Sequence, residues 1–365
     1  MSVVLPAASP IGPVLGLDLG GTNARAAVVR PDGTLSSRHA QPTPMDQGAE
    51  AVVEVCRILL RRALDDHLRA GGAAPVAVGI CAPGPLDARS GRLIDPPNLR
   101  GDWWGFPLAP SVADPFGLPW ALERDTNVAI LGEATFGAGR GSVDLVYLTI
   151  STGIGGAVIS GGRPLVGPDG VAGELGHLTV DMDGPPCGCG APGHLEAIAS
   201  GTGIARAASA ALAAGAHAPE LTRIAAEIAP RPISAVDVDR AEGLGDPLAA
   251  VILERARRAV AVSVVSIVDV FGPDVVILGG GISIAWGERL LGPARQAVAA
   301  MAFRVQAARA RVVQAVLGDD VGLIGTVPLV GSALPVVAGP GDDGDAPSGA
   351  RGPARRGHPS AMSDR

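Results

Sequence analysis

Val14-Leu15-Gly16-Leu17-Asp18-Leu19-Gly20-Gly21-Thr22-Asn23 and the apolar run 24–29 behind it decide the fold. The spacing predicts a strand over Val14–Leu19, a glycine turn and a returning strand over 24–29. The first strand delivers a carboxylate, Asp18, to its end. Gly20 and Gly21 let backbone N–H groups approach a phosphate closely. Thr22 can donate a hydroxyl, and Asp18 can hold Mg²⁺ directly or through water. Asp18, Gly20, Gly21, Thr22 and Asn23 are therefore candidates for a phosphate and Mg²⁺ site, although an ordinary hairpin turn has the same composition.

Working outward, Pro31-Asp32-Gly33 is a turn and 35–40 a third strand, so the chain opens as a hairpin meander. A helix is expected over 47–70, with Val52, Cys56, Leu59, Leu60, Ala63 and Leu64 on one face and Gly71-Gly72 as its stop. Residues 76–81 are nearly all apolar, as in a strand covered on both sides. Residues 83–110 read as a Pro/Gly-rich loop. The pattern then repeats: strand Leu145–Ile150, glycine turn 153–156, returning strand 157–160, long helix Pro247–Phe271, buried strand 275–278 and turn Gly279-Gly280-Gly281. Two halves that each open with strand, glycine turn and strand imply a duplicated α/β fold with a cleft between them. A final helix is expected over 321–329, and the Gly/Pro/Asp/Arg-rich stretch beyond about 338 reads as a disordered tail.

Ser151-Thr152-Gly153-Ile154-Gly155-Gly156 repeats the chemistry of the first turn, which makes Thr152 and Gly153 candidates for a second phosphate contact. Gly279 and Gly280 could let an adenine or ribose lie against backbone, or could form a plain strand-to-helix turn. The chain has no lysine. That excludes Schiff-base chemistry and a phosphate loop of the G-x-x-x-x-G-K-[ST] type, so ATP would have to be held by facing glycine turns. Cys187-Gly188-Cys189, with His194 after it and His177 before it, supplies two thiolates and two imidazoles. Four such ligands give a closed tetrahedral zinc site, structural rather than catalytic because no position is left for water. Asp125 stands before an expected helix over 128–136, where the helix dipole favours a carboxylate; N-capping would place it there equally well.

Composition sets the remaining bounds. A chain of 365 residues suggests two domains, and 47% hydrophobic against 18% charged residues supplies a large core. A net charge of −7 argues against a surface for nucleic acid or anionic lipid. Four cysteines are too few for a disulfide framework, and Cys56 and Cys81 read as buried core thiols. No secretory signal is visible, and the most apolar stretch is too short for a bilayer, so the expectation is a cytoplasmic protein with no membrane partner.

In their order along the chain, Asp18–Thr22, Asp125–Glu133, Ser151–Gly156, Gly173–His177, Cys187–Glu196 and Val275–Gly281 resemble the ROK (repressor, open reading frame, kinase) family of sugar kinases, glucokinase-like members above all. The resemblance runs from about Val14 to Leu329. It implies an actin-like ATPase (ribonuclease H-like) fold: a small α/β domain over 13–122 completed by a C-terminal helix at about 318–337, a large one over 123–317, and a tail over 338–365. It implies ATP and Mg²⁺ as cofactors with a structural Zn²⁺, and a homodimer or homotetramer. It also implies phosphorylation of a hexose, glucose first, at its 6-hydroxyl. Asp125 would be the general base, and Asn98, Glu174, His177 and Glu196 would contact sugar hydroxyls. His177 would serve both zinc and sugar.

Two positions depart from the family. His194 stands where a third cysteine is usual, and imidazole is an equally good zinc ligand. Arg124 stands where an asparagine usually contacts the sugar; Arg only donates and is charged. It could pair with Glu123, pair with Asp125, or reshape the sugar pocket. N-acetylmannosamine or fructose as substrate, polyphosphate as donor, or a non-catalytic sugar-binding role remain alternatives. A DNA-binding repressor is disfavoured, since only about a dozen residues precede the first strand.

Overall fold

The computed structural model of the chain describes residues 12–94, 96 and 103–332. Asn98, the tail over 338–365 and the end of the expected C-terminal helix lie outside the described residues.

Two five-stranded sheets organise the molecule. The strands of the first are β1 (Val14–Leu19), β2 (Asn23–Val29), β3 (Leu35–Pro42), β4 (Ala77–Ala82) and, later in the chain, Trp120–Arg124. Between them a small hairpin, β5 (Leu86–Asp87) and β6 (Arg92–Leu93), makes Trp120–Arg124 strand β7. The second sheet holds β8 (Leu145–Ile150), β9 (Ile154–Ser160), β10 (Arg163–Pro164), β11 (Val275–Gly279) and β12 (Arg311–Gln314). Their orders, β3-β2-β1-β4-β7 and β10-β9-β8-β11-β12, are the same topology used twice. In each, a three-stranded antiparallel meander is extended by two parallel strands. The duplication implied by the repeated strand–glycine–strand pattern is therefore present in the strand order.

Helix Ala49–Arg69 covers the first sheet with Val52, Cys56, Leu59, Leu60 and Ala63 fully buried. Each large apolar side chain so buried contributes about 1.5–3 kcal/mol. Helix Pro247–Phe271 covers the second sheet. Pro247 follows the N-cap Asp246, whose carboxylate accepts from the Leu248 and Ala249 amides, and the left-handed Gly272 ends the helix.

Helix Asp125–Phe136 is packed between the two sheets, with residues 126–134 all buried. A helix apolar on every side shows no amphipathic stripe because it has no solvent face. It starts earlier than the sequence predicts: Arg124 is its N-cap position and Asp125 its first residue, so Asp125 is not the N-cap. At its other end Glu133 accepts from the Ala138, Val316 and Leu317 amides and ties the helix to the segment leaving the second sheet.

Three further expectations need correction. The 83–110 stretch is not all loop, since it holds the β5–β6 hairpin and the start of helix Leu108–Ala113. Gly155 and Gly156 lie in β9 rather than in the turn. Added side chains there would run into Thr126 and Leu175, so the glycines permit close packing of an extended strand. The final helix is two short ones, Val321–Ile324 and Thr326–Gly331, broken at Gly325. A Cβ at Gly325 would meet the Val128 carbonyl at 2.1 Å. These helices return to the first sheet, where Thr326 lies against Gly16 and Gly79.

Candidate active site

The first turn is closed by the Gly20 amide donating to the Asn23 carbonyl, and it is pinned by Thr43, whose hydroxyl donates to the Gly20 carbonyl at 2.7 Å. The second turn repeats this closure, with the Ser151 amide donating to the Gly153 carbonyl. The start of helix Gly201–Ala213 holds it, as the Gly201 and Thr202 amides donate to the Ser151 and Thr152 carbonyls. In both turns the carbonyls are engaged while the amides of Gly21, Thr22, Thr152 and Gly153 take no acceptor among the described residues. Two pairs of unspent N–H groups at exposed turns are what a phosphate chain requires.

Asp18 sits at the end of β1, half-buried against Gly322 of the returning C-terminal helix. Burial pushes its carboxyl above the usual range, against the opposing pull of Arg25, whose Nη1 lies 3.0 Å from Oδ2. No motif in the sequence marks Arg25, although its position opposite Asp18 in the β1–β2 register follows from the hairpin.

Asp125 opens into the cleft between the sheets. Thr126, beside it, packs on Gly155, so the helix start touches β9 just after the second turn. Asp125 is an exposed residue at the helix start, yet the density of protein around its carboxyl desolvates it. That desolvation pushes it up to about 6, with the Thr126 amide at 2.7 Å and Arg124 pulling down and Asp18 and Glu174 pushing up. Below it, the buried Glu123 accepts from the Arg124 amide at 2.8 Å and from Asn127 Nδ2 at 3.0 Å, which fixes the strand-to-helix corner.

Arg124 pairs its guanidinium with neither Glu123 nor Asp125. Its side chain, 4% exposed, runs over Gly84 and reaches the loop after β10. There Nη1 donates to Glu174 Oε1 at 2.6 Å and Nη2 to the Ala172 carbonyl. Glu123 receives only its backbone amide. The guanidinium therefore engages one of the carboxylates expected to bind sugar.

Glu174 Oε2 lies 4.0 Å from His177 Nε2, and His177 turns its other nitrogen, Nδ1, to His194 Nδ1 at 3.1 Å. Cys189 Sγ is 3.3 Å from His194 Nδ1, and the ligand atoms of His177, Cys187, Cys189 and His194 all lie within 4.8 Å of one another. Tetrahedral bonds of 2.0–2.3 Å place ligand atoms about 3.3–3.8 Å apart, so this donor set fits one metal ion. Glu196 follows directly. Its Oε2 accepts from the Ile154 amide at 2.9 Å, and Cys187 Sγ lies 3.8 Å from Oε1. The loop that carries the cluster thus touches the second glycine turn.

A cavity of about 550 Å³ opens beside that turn, away from Asp125. Ser151 and Thr152 form one side, Gly281 and helix Gly281–Trp286 another, and Ile233, Val236 and Trp286 give it apolar walls. Gly279 is buried and Gly280 lies hard against the Ile150 carbonyl, so these two shape the turn under the cavity, while Gly281 lines it. Helix Ala235–Gly243 and Thr202, also part of this wall, carry no signal in the sequence that marks them for a site.

The ROK family model matches residues 14–333. The chain belongs to the ROK family. It is 36% identical to a glucokinase of Thermotoga maritima over 87% of this chain and 96% of that one. It is 34% identical to an N-acetylmannosamine kinase of Shigella flexneri, over 86% and 96%. Among solved structures, a ROK glucokinase of Streptomyces griseus in complex with glucose and AMPPNP superposes with a TM-score of 0.70 at 34% identity, covering 87% and 99%. The two repeated sheets are accordingly those of the actin-like ATPase fold that the sequence pattern implied. Among the described residues no helix is long and apolar enough to cross a membrane.

Proposed function

We propose that this ROK protein is an ATP-dependent hexose kinase that phosphorylates glucose at its 6-hydroxyl. The observation that carries the reading is a pair of glycine turns with unspent amides, the second adjoining the strand on which Thr126 packs beside Asp125, whose carboxyl is raised to about 6. A carboxylate tuned close to neutrality can accept a hydroxyl proton as the bond to phosphorus forms. Phosphoryl transfer otherwise asks mainly for positioning and charge neutralisation.

In this reading the β- and γ-phosphates lie between the turns, on the amides of Gly21, Thr22, Thr152 and Gly153. The adenosine fills the cavity beside Thr152, with Gly279 and Gly280 beneath it. Mg²⁺ would be held from Asp18 through water, since Arg25 already engages Oδ2, and would neutralise phosphate charge. Glu174, His177 and Glu196 take the sugar hydroxyls, with Asn98 as a further contact. Zn²⁺ on His177, Cys187, Cys189 and His194 would be structural and hold the loop that presents them. The two units, 13–122 with the returning C-terminal helices and 123–317, close over both substrates in a cytoplasmic homo-oligomer.

Support for glucose comes from the glucokinase relatives, and N-acetylmannosamine is the second candidate because a relative of that name is nearly as similar. The test is ADP release with ATP and Mg²⁺ across a hexose panel that includes N-acetylmannosamine, with the product position read by NMR. Glucose 6-phosphate as the main product supports the reading, and no ADP release with any sugar removes it.

A further inference from the structure

The cavity beside the second turn contains one charged side chain, and its sign is wrong for a phosphate. Asp239 lines it from the middle of helix Ala235–Gly243. Of the cavity's hydroxyls, Ser234 is spent in the cap of that helix, donating to Asp237 at 2.6 Å. The walls formed by Ile233, Val236, Ile282, Ala285 and Trp286 offer no charge.

Asp239 is held rather than loose. Arg289 Nη2 lies 3.0 Å from Oδ1 and donates to Oδ2 at 3.2 Å, and the side chain keeps 30% exposure. Arg289 also donates to Glu242 at 3.1 Å, and Glu242 accepts two bonds from Arg257. The Arg257 guanidinium in turn lies 5.8 Å from the centre of the Trp286 ring, on the cavity wall. One ion-pair network thus orients the carboxylate and braces the aromatic wall.

A carboxylate that faces a phosphate charge repels it. A nucleotide must therefore enter with its phosphates toward Thr152 and Gly153, and the end that meets Asp239 must bring neutral donors. Ribose supplies such donors in its hydroxyls, and Asp239 Oδ2, which accepts one bond from Arg289, has a lone pair left to accept another, while Oδ1 is buried. We propose that Asp239 is the ribose-recognising residue of the nucleotide cavity and makes the protein selective for ribonucleoside triphosphates over deoxy analogues. The inference rests on the reading of the cavity as the nucleotide site.

The test measures KM and Kd for ATP, 2′-deoxy-ATP, 3′-deoxy-ATP and inosine triphosphate with the full chain and with Asp239→Ala and Asp239→Asn. A hydrogen bond to a charged group is worth about 1.5–3 kcal/mol, or about ten- to hundredfold in affinity. The native protein is expected to bind at least one deoxy analogue about tenfold or more weakly than ATP. Asp239→Ala is expected to weaken ATP to the level of that analogue, leave the analogue unchanged, and keep the sugar KM. Asp239→Asn should fall between. Equal affinity of the native protein for ATP and both deoxy analogues overturns the assignment. So does a ribose preference that survives Asp239→Ala, even if that variant melts earlier for want of a partner for Arg289. A preference lost only between ATP and inosine triphosphate would place the base amine there instead and overturn it too. Failure to bind any nucleotide would remove the nucleotide reading of the cavity itself, an outcome distinct from ATP binding without ribose discrimination.

Discussion

Arg124 Nη1 donates to Glu174 Oε1 across 2.6 Å, joining the strand end that presents Asp125 to the loop that presents His177. Through Glu174 Oε2, 4.0 Å from His177 Nε2, the connection continues to the Cys/His cluster. A guanidinium makes this link where an asparagine would be too short to hold both Glu174 and the Ala172 carbonyl.

Arg124→Asn should therefore act on sugar recognition more than on chemistry. Glu174 loses a charged hydrogen bond worth about 1.5–3 kcal/mol, discounted because the carboxylate is half exposed. The expected result is a change of about tenfold in KM for the preferred hexose, an altered ranking of hexoses, and little change in kcat. Arg124→Lys should resemble Arg124→Asn, because one ammonium cannot serve both partners in the same geometry. Unchanged kinetics on every hexose would refute a role in specificity.

The pH profile of kcat/KM should show an acid limb near 6. Asp125 accepts a proton only when ionised, and its carboxyl is raised to about 6, so activity should be low at pH 5 and level above pH 7. A rate independent of pH between 5 and 7.5 would contradict the assignment.

The same raised value sets a sign for stability. The folded state holds the Asp125 proton more tightly than the unfolded chain, whose value is 3.8. The resulting relative stability is present below about pH 4 and lost as pH rises through 6. Asp125→Asn is therefore expected to melt higher than the native protein at pH 8, with the difference closing toward pH 4. Thermal scans at those two pH values check it.

How much of this can be read from sequence depends on how local each feature is. Both glycine hairpins are legible because a strand, a carboxylate or hydroxyl and a glycine turn fall within about ten residues. The Cys/His cluster is legible because Cys187 and Cys189 stand one residue apart and His177 and His194 flank them within about ten residues. The direction of Arg124 is not, since its partner is fifty residues away and the choice among carboxylates is made by the approach of two loops. The cavity beside Thr152 is still less legible. Thr152, marked by its glycine turn, meets Asp239 and Trp286 only after three helices have packed, and neither of those two stands in a spacing that marks it. The break at Gly325 is a tertiary effect too, set by the Val128 carbonyl rather than by the helix's own sequence.

Metal removal should be felt at the sugar and not at the nucleotide. One zinc per chain is expected by elemental analysis. Cys187→Ser with Cys189→Ser should lose it, lower Tm by about 5 °C or more, and raise KM for sugar while sparing Kd for ATP. A metal-free native protein with full activity would contradict the structural zinc.

Glu123 separates shape from charge. Glu123→Ala strands the Arg124 amide and Asn127 in a buried corner, at about 1–3 kcal/mol for each unsatisfied group. Glu123→Gln keeps an acceptor of the same size, and burial already disfavours the charge of the native carboxyl. Gln is expected to retain most stability and activity, and Ala to lose both; equal loss in the two variants would show that the charge is needed.

The most direct test of the account is single-turnover transfer from γ-labelled ATP to glucose by the native protein and by Asp125→Asn, with glucose and ATP affinities measured on both. The transfer rate of Asp125→Asn is expected to fall by about 10²–10⁴-fold while both ligands still bind with near-native affinity. Transfer at a near-native rate by Asp125→Asn would contradict it.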